Sequence, residues 1–411
     1  MVLDRMLDEP VVLLQGPRSV GKSTLLRQIA GQAGGTLIDL DDLPTRRAAL
    51  DDPSLLIDVP GPVLIDEYRH APDVLSAIKA VLNEKGAVGG QFVLAGSARH
   101  ESLPKAAEAL TGRLHQMLVL PFSQAELAAT RAGLLAALFE HPEAVPDAGT
   151  SACTREDYVA RIVAGGFPLA LARETPASRG RWFDDYVRAT LAKDVAALSK
   201  LRQAQALPRV LTVLAGQTAQ IMNVSKVAQR LQLDVGLVTA YTHLLAAVFL
   251  IRTLPAWGKA LTARSAASPK VYVLDSGVAA RLLRLSPEKL LRRDATSLTE
   301  LGHLVESFAV GELLKEAACM DDVAEIGHWR THDGYEVDLV IERGDGAVVA
   351  FEIKAGTGAN AAAFRSLARL RDLLGPAFQA GVVFHMGARA HRYDDRLMAL
   401  PLDRLWREGR S

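Results

Sequence analysis

The sequence has little cysteine, no net charge and no apolar run of membrane-spanning length. Its two cysteines, Cys153 and Cys319, form no CxxC pair. That excludes a disulfide framework and a thiolate zinc site. Lys plus Arg number 47 and Asp plus Glu number 47, so the whole chain carries no polyanion-binding excess. Any nucleic-acid signal has to be regional. The longest apolar runs, such as "LLAAVFLI", are too short to cross a bilayer. The opening "MVLDRMLDEP" carries acids and lacks an apolar centre, so no signal peptide is expected. Internal repeats and low-complexity tracts are also missing. These absences lead to the expectation of a soluble, cytoplasmic protein with no membrane partner.

With 411 residues and 49% hydrophobic content, the chain can bury two or three cores. Its patterning is α/β. Residues 1–135 alternate β-type runs with helical segments, which predicts a parallel sheet. The β runs are "VVLLQ", "TLIDL", "PVLIDE", "QFVLAGS" and "MLVLPF". Residues 136–157 are rich in Pro, Gly, Ser, Thr and acid and read as a linker. Residues 158–220 are helical, residues 221–295 resemble a winged helix, and residues 296–411 read as a second α/β domain.

"GPRSVGKST" fits G-x-x-x-x-G-K-[ST] between the strand "VVLLQ" and the helix "KSTLLRQIA". Gly16, Pro17, Arg18, Ser19, Val20, Gly21, Lys22, Ser23 and Thr24 therefore make a candidate phosphate cradle for ATP. Its backbone N–H groups face phosphate oxygens, Lys22 reaches the β and γ phosphates, and Ser23 supplies a Mg²⁺ ligand. "PVLIDE" delivers Asp66 and Glu67 at the carboxyl end of a strand, the edge where open α/β sheets bind ligands. Asp66 is expected to hold Mg²⁺ and Glu67 to polarise the attacking water. "QFVLAGS" ends in Ser97 and resembles the sensor-1 strand of AAA-type ATPases. Arg113, in "ALTGR", is the candidate for stabilising transferred phosphoryl charge, with Arg99 as its rival. A solvated loop charge stands beside that role for both arginines.

From Asn223 the pattern is helix-turn-helix, with Asn223 or Ser225 as a cap and two following β runs as a wing. Across residues 200–270 the basic residues are Lys200, Arg202, Arg209, Lys226, Arg230, Arg252, Lys259, Arg264 and Lys270, and Asp234 is the only acid. This is a local positive field for DNA phosphates. The second helix, "VGLVTAYTHLL", has no Arg or Lys, so base readout is not expected. Packing or partner binding is the other use of such a helix pair.

"EVDLVIERGDGAVVAFEIK" predicts a hairpin that brings Asp338 towards Glu352, with Lys354 on the same face as Glu352. Two carboxylates there can share a second Mg²⁺ or Mn²⁺. Glu306, in the helix "GHLVESFAVGELLK", is the candidate third acid. This spacing resembles the PD-(D/E)XK nuclease core, although D…ExK also occurs on ordinary hairpins.

Taken with "LAGSAR", "LTGR", "LPFSQAEL", "GGFPLAL", "YVRATLAKDV" and "VYVLDSGVAARLL", the chain resembles a group of prokaryotic AAA-type P-loop ATPases. The group lies close to the archaeal ATPase branch and carries a C-terminal domain of unknown function with a restriction-endonuclease-like core. The resemblance implies a sensor strand lying between the P-loop and Asp-Glu strands, and a C-terminal domain similar to Holliday-junction resolvases. It implies ATPase roles for Lys22, Ser23, Asp66 and Glu67, and nuclease-like roles for Glu306, Asp338, Glu352 and Lys354. Ala192-Lys193 depart from the group's Glu-Arg before Asp194, and "VESF" stands where Glu-Asn is usual. The expected function is an ATP-driven switch on DNA. The alternative is a regulatory ATPase, signalling or toxin-linked, whose C-terminal domain is structural or binds a partner. An oligomer is compatible with either.

Overall fold

The computed structural model describes residues 2–99, 110–147, 149–195, 198, 203–258 and 268–407. The chain divides into two units. The first comprises Met1–Pro121, Val187–Arg202 and Ala247–Phe249, and the second comprises Phe122–Tyr186, Gln203–Ala246 and Leu250–Ser411.

The first unit is built on β1 (Val11–Gln15), α1 (Lys22–Ala33), β2 (Thr36–Asp39), β3 (Val63–Asp66), α2 (Val74–Lys85), β4 (Phe92–Gly96) and β5 (Leu114–Leu118). The sheet is parallel in the order β2-β3-β4-β1-β5, so β4 lies between β1 and β3. The central strands are apolar throughout because both faces are covered. Val11 and Leu13 enter one core with Ile65, Ile78 and Leu94. Val12 and Leu14 enter the other with Leu26, Ile29 and Val93. β5 begins three residues before the expected "MLVLPF" run, because Leu114 pairs with Val11 at the opening of β1.

In the second unit, the expected linker at 136–157 is instead packed structure. α3 (Leu134–Glu140) buries Leu134, Leu135, Leu138 and Phe139. Further along, the Ser151 hydroxyl donates to Asp403 at 2.8 Å, and Arg404 donates to the Val145 carbonyl at 3.1 Å. A turn-rich composition marked where the chain bends, while partners some 250 residues away hold it down. The first unit also closes at Pro121 rather than at residue 135.

Next come α4 (Leu207–Ala215), β6 (Gln220–Ile221), α5 (Val224–Leu231), α6 (Val235–Ala247), β7 (Ile251–Leu254) and β8 (Lys270–Val273). The strands form an antiparallel sheet in the order β6-β8-β7. Asn223 is the cap of α5, accepting from the Lys226 N–H at 2.8 Å. Asp275, at the end of "VYVLD", caps α7 (Ser276–Leu282) through Gly277 and Val278 and also accepts from Gly166 at 2.8 Å. This joins the "VYVLDSG" and "GGFPLAL" segments. Gly165 has φ 67°, and a Cβ there would collide with the Asp275 carboxylate.

The rest is α8 (Ala295–Ala317), β9 (Val323–Arg330), β10 (Glu336–Arg343), β11 (Val348–Ile353), α9 (Ala361–Leu374), β12 (Phe378–His385), β13 (His391–Asp394) and β14 (Leu397–Pro401). The mixed sheet runs β13-β14-β12-β11-β10-β9. α9 packs Phe364, Leu367 and Leu370 against Val340, Ala350 and Val383. β10 and β11 form the expected hairpin, with Leu339 opposite Phe351.

Glu316 on α8 serves as the missing cap of α3, whose own Gly133 offers no side chain. Its carboxylate accepts from the Leu135 N–H at 2.8 Å. Burial raises its pKa to about 7, against the opposing pull of the Leu135 and Leu134 N–H bonds. The folded value exceeds the unfolded one, so this contribution to stability is complete below the usual Glu value and is lost as pH rises through about 7. Thermal melts should show stability falling by up to about 3 kcal/mol between pH 4.5 and pH 8 from this group. Glu316→Gln should flatten that slope, and an unchanged slope would contradict the assignment.

Candidate active site

The carboxyl ends of β1, β3 and β4 present Gly16, Asp66-Glu67 and Ser97 along one sheet edge. The loop after β1 is close-fitting. A Cβ on Gly16 would overlap the Val119 carbonyl, Ser19 has φ 63° and Gly21 has φ 99°. α1 starts at Lys22 with no side-chain cap, so its first N–H groups are not taken by a capping side chain. Pro17 and Val20 line the loop, while Thr24 points outward.

Lys22 is buried and donates to the Gly16 and Pro17 carbonyls at 2.9 and 2.8 Å. Burial lowers its pKa to about 8, against the raising fields of Glu67 and Asp66. Asp66 is buried, accepts from the Glu67 N–H at 3.0 Å and is hydrogen-bonded by the Ser23 side chain. Burial raises its pKa, and Ser23 opposes the rise. A hydroxyl and a carboxylate in contact are the hard oxygen donors that Mg²⁺ prefers, so the residues present fit that ion.

Glu67 sits in the left-handed region at φ 49°, ψ 46°, a strained setting for a non-glycine residue. Its Oε2 accepts from Arg69 Nε at 2.8 Å and from the Ser97 hydroxyl at 3.4 Å. Arg69 also donates to Asp194 at 3.0 Å, and Asp194 takes two bonds from Arg18 Nε at 2.8 and 2.7 Å. Asp194 lies in a wide helical turn, Thr190–Val195, and is 1% exposed. Neither Arg69 nor Asp194 was singled out for a role from the sequence. Arg69 follows the Asp-Glu pair directly, which is the signal that could have found it.

Arg113 is not part of this edge. It precedes Leu114, which pairs with the first residue of β1, and donates to Asn83 at 2.7 Å. Five residues of strand, about 16 Å, separate that end from Gly16. Arg99 stacks its guanidinium over Phe249, 5.0 Å from the ring centroid.

In the second unit the structure brings Glu306, Asp338, Glu352 and Lys354 together, and adds residues the sequence reading had placed elsewhere. Lys270, counted above as part of a basic surface, is 1% exposed. Its ammonium contacts Asp338 at 2.8 Å, Glu306 at 2.9 Å and Glu336 at 3.0 Å. Tyr272, two residues on along β8, donates to Glu306 at 2.9 Å. Asp338 also accepts from the Ile353 N–H at 2.9 Å, and Lys354 pairs with Glu352. Burial and then Asp338 raise the pKa of both Glu306 and Glu352, with Lys270 the main opposition at the first and Lys354 at the second. Burial works against the Lys270 charge, but Asp338 and Glu306 outweigh it and hold the ammonium far above its usual value. Lys270 therefore contacts Asp338 and Glu306, two of the three acids expected to hold a second Mg²⁺ or Mn²⁺, while Glu352 pairs with Lys354 and keeps a buried Oε2 with no hydrogen-bond partner among the described residues. Among the described residues no His, Cys, Asp and Glu group has metal-holding geometry. Nothing in this arrangement supports the second metal expected from the sequence.

Of the basic residues counted across 200–270, one is shown to be internal. Lys200, Arg202, Lys259 and Arg264 lie outside the described residues, and Lys270 is consumed internally. Arg209, Lys226 and Arg230 are exposed, and Asp234 caps α6 through Leu237. Among the described residues no helix is long and apolar enough to cross a membrane.

Residues 8–128 match the family described as AAA domain. Residues 155–289 match a domain of unknown function, DUF8612, and residues 301–405 match another, DUF4143. An uncharacterized protein of Mycobacterium tuberculosis is 28% identical over 410 residues, covering 97% of this chain and 82% of its own. One from Mycobacterium bovis aligns with the same values. A Walker-type ATPase of Pyrococcus abyssi aligns with 68% of this chain and 93% of its own, at 16% identity and a TM-score of 0.42. The AAA match spans every P-loop residue, Asp66, Glu67 and Ser97. The boundary between the two other matches falls between Lys270 and the acids it serves.

Removing the buried ammonium leaves three carboxylates without their shared cation, an error worth about 3–5 kcal/mol. Lys270→Met should lower the unfolding midpoint of the second unit accordingly, measured by denaturant titration. An unchanged midpoint would mean that Lys270 is not the counter-ion.

Proposed function

We propose that this chain is a Mg²⁺-dependent, ATP-hydrolysing switch. The observation that carries the reading is the convergence of Lys22, Ser23, Asp66 and Glu67 at one sheet edge. Ser23 and Asp66 would hold Mg²⁺, which supplies charge neutralisation at the β and γ phosphates. Lys22 exchanges its two loop carbonyls for phosphate oxygens. Glu67 accepts a proton from the attacking water, and Ser97 orients the Glu67 carboxylate.

The element order helix, strand, two helices and two strands, with the sheet β6-β8-β7, supports a winged helix in residues 207–273. Exposed Arg209, Lys226 and Arg230 there offer phosphate contacts to DNA without base choice. The hairpin carrying Asp338, Glu352 and Lys354 supports a restriction-endonuclease-like core in the second unit. Lys270 favours the version of this reading in which that core does not cut. ATP binding then controls association with a partner or with DNA, and the C-terminal region serves structure.

Purified wild-type protein should turn over ATP with Mg²⁺, and Lys22→Ala should lose about 100-fold or more of the rate. Linear and branched DNA incubated with Mg²⁺ or Mn²⁺ should remain intact, with wild type and Asp338→Ala indistinguishable. Absence of ATP turnover in wild type would refute the ATPase. Cleavage that Asp338→Ala abolishes would restore the nuclease.

A further inference from the structure

Three cations and three carboxylates meet at the P-loop edge. Lys22, Arg18 and Arg69 face Asp66, Glu67 and Asp194, and both arginines lie near enough to Lys22 to repel it. Lys22, Asp66 and Glu67 have roles in the chemistry proposed above. The other three form a chain of their own: Arg18 to Asp194 at 2.7 Å, Asp194 to Arg69 at 3.0 Å, and Arg69 to Glu67 at 2.8 Å. Arg18 is itself a P-loop residue, the third of "GPRSVGKS". Arg69 has a side chain 8% exposed, and its Nη1 is buried with no hydrogen-bond partner among the described residues. An orphaned guanidinium N–H is costly unless an acceptor arrives, and the acceptor this edge is shaped for is phosphate.

We propose that Asp194 is a positioning residue that competes with the γ-phosphate for Arg18 and Arg69, so that this chain tells ATP from ADP through those two arginines. ATP places a third phosphate, still anionic with Mg²⁺ bound, beside Lys22. Guanidinium groups bind phosphate and carboxylate oxygens with the same fork geometry, so one acceptor displaces the other. When the γ-phosphate takes Arg69, the Arg69–Glu67 bond loosens and Glu67 is released to receive the proton of the attacking water. ADP stops short of the arginines and leaves the Asp194 pairs in place. Arg69 thereby takes the role that the sequence assigned to Arg113.

This inference rests on the ATP-site reading, and the experiment separates the two. Fluorescent ATP and ADP analogues are titrated with Mg²⁺ into the full-length chain and its variants. Asp194→Asn removes the competitor's charge, so ATP should bind about tenfold tighter, the equivalent of one charge-assisted hydrogen bond, while ADP is unchanged. Asp194→Glu, which keeps the carboxylate, should restore the wild-type ratio. Arg18→Gln alters a partly exposed side chain and leaves Asp194 intact, which guards against misfolding of the Asp194 variants. It should lose most of the preference for ATP over ADP. If wild type binds ATP but the ATP-to-ADP ratio stays the same in Asp194→Asn and Arg18→Gln, the role of Asp194 is refuted and the ATP site stands. A parallel shift of both nucleotides in these variants refutes that role as well. If wild type binds neither nucleotide, both readings fall.

Discussion

A carboxylate taken out of water needs a cation within about 3 Å, or it gives up its charge. Both units are arranged around that constraint. In the first, Asp66, Glu67 and Asp194 are shared among Lys22, Arg18 and Arg69. In the second, Glu306, Glu336 and Asp338 share Lys270. The two solutions differ in what they leave available. The first keeps Asp66 next to the Ser23 hydroxyl, an oxygen pair that fits Mg²⁺, and keeps a buried arginine N–H unpaired among the described residues. The second shares its ammonium among Glu306, Glu336 and Asp338, and leaves a buried Glu352 oxygen unpaired among the described residues.

The two sites also differ in their backbone. At the first site the backbone is strained where it serves chemistry. Glu67 is left-handed, and Ser19 and Gly21 also have positive φ. Such strain persists where the surrounding structure overdetermines it. At the second, Lys270 lies on a strand and Glu306 on a long helix, and Asp338 sits where the β10–β9 register shifts between Val337 and Val340. Tyr272 and the Ile353 N–H add hydrogen bonds, while Glu352 Oε2 is buried without a partner among the described residues. The similarity of Asp338, Glu352 and Lys354 to a nuclease motif is then a matter of fold geometry. Fold likeness alone is a weak warrant for activity.

The sequence made the local features legible. "GPRSVGKST" and "LIDE" are contiguous, and their flanking strand and helix patterns fix where they sit. The "EVDLVIERGDGAVVAFEIK" hairpin was also readable, because period-two alternation places Glu352 and Lys354 on one face. What the sequence hid were long-range pairs. Arg69 and Asp194 are 125 residues apart, and Arg18 and Asp194 are 176 apart. Counting charges over residues 200–270 treated Lys270 as surface, because a count does not see burial. A finer look at "KVYV" offered a hint, since Lys270 and Tyr272 share one face of a strand otherwise built for a core. The position of Arg113 was not legible, because nothing in "LTGR" says that β5 begins right after it and pairs Leu114 with the opening of β1. The linker at 136–157 was misread because turn composition marks bends and says nothing of distant partners such as Asp403 and Arg404.

The claim that unites both halves is that this chain holds one divalent ion, and holds it with ATP. Counting bound Mn²⁺ by electron paramagnetic resonance tests it directly. The account predicts one Mn²⁺ per chain in the presence of ATP, lost in Asp66→Ala, and none without nucleotide because Lys270 already neutralises Asp338 and Glu306. Tight Mn²⁺ binding without ATP that disappears in Asp338→Ala would contradict it.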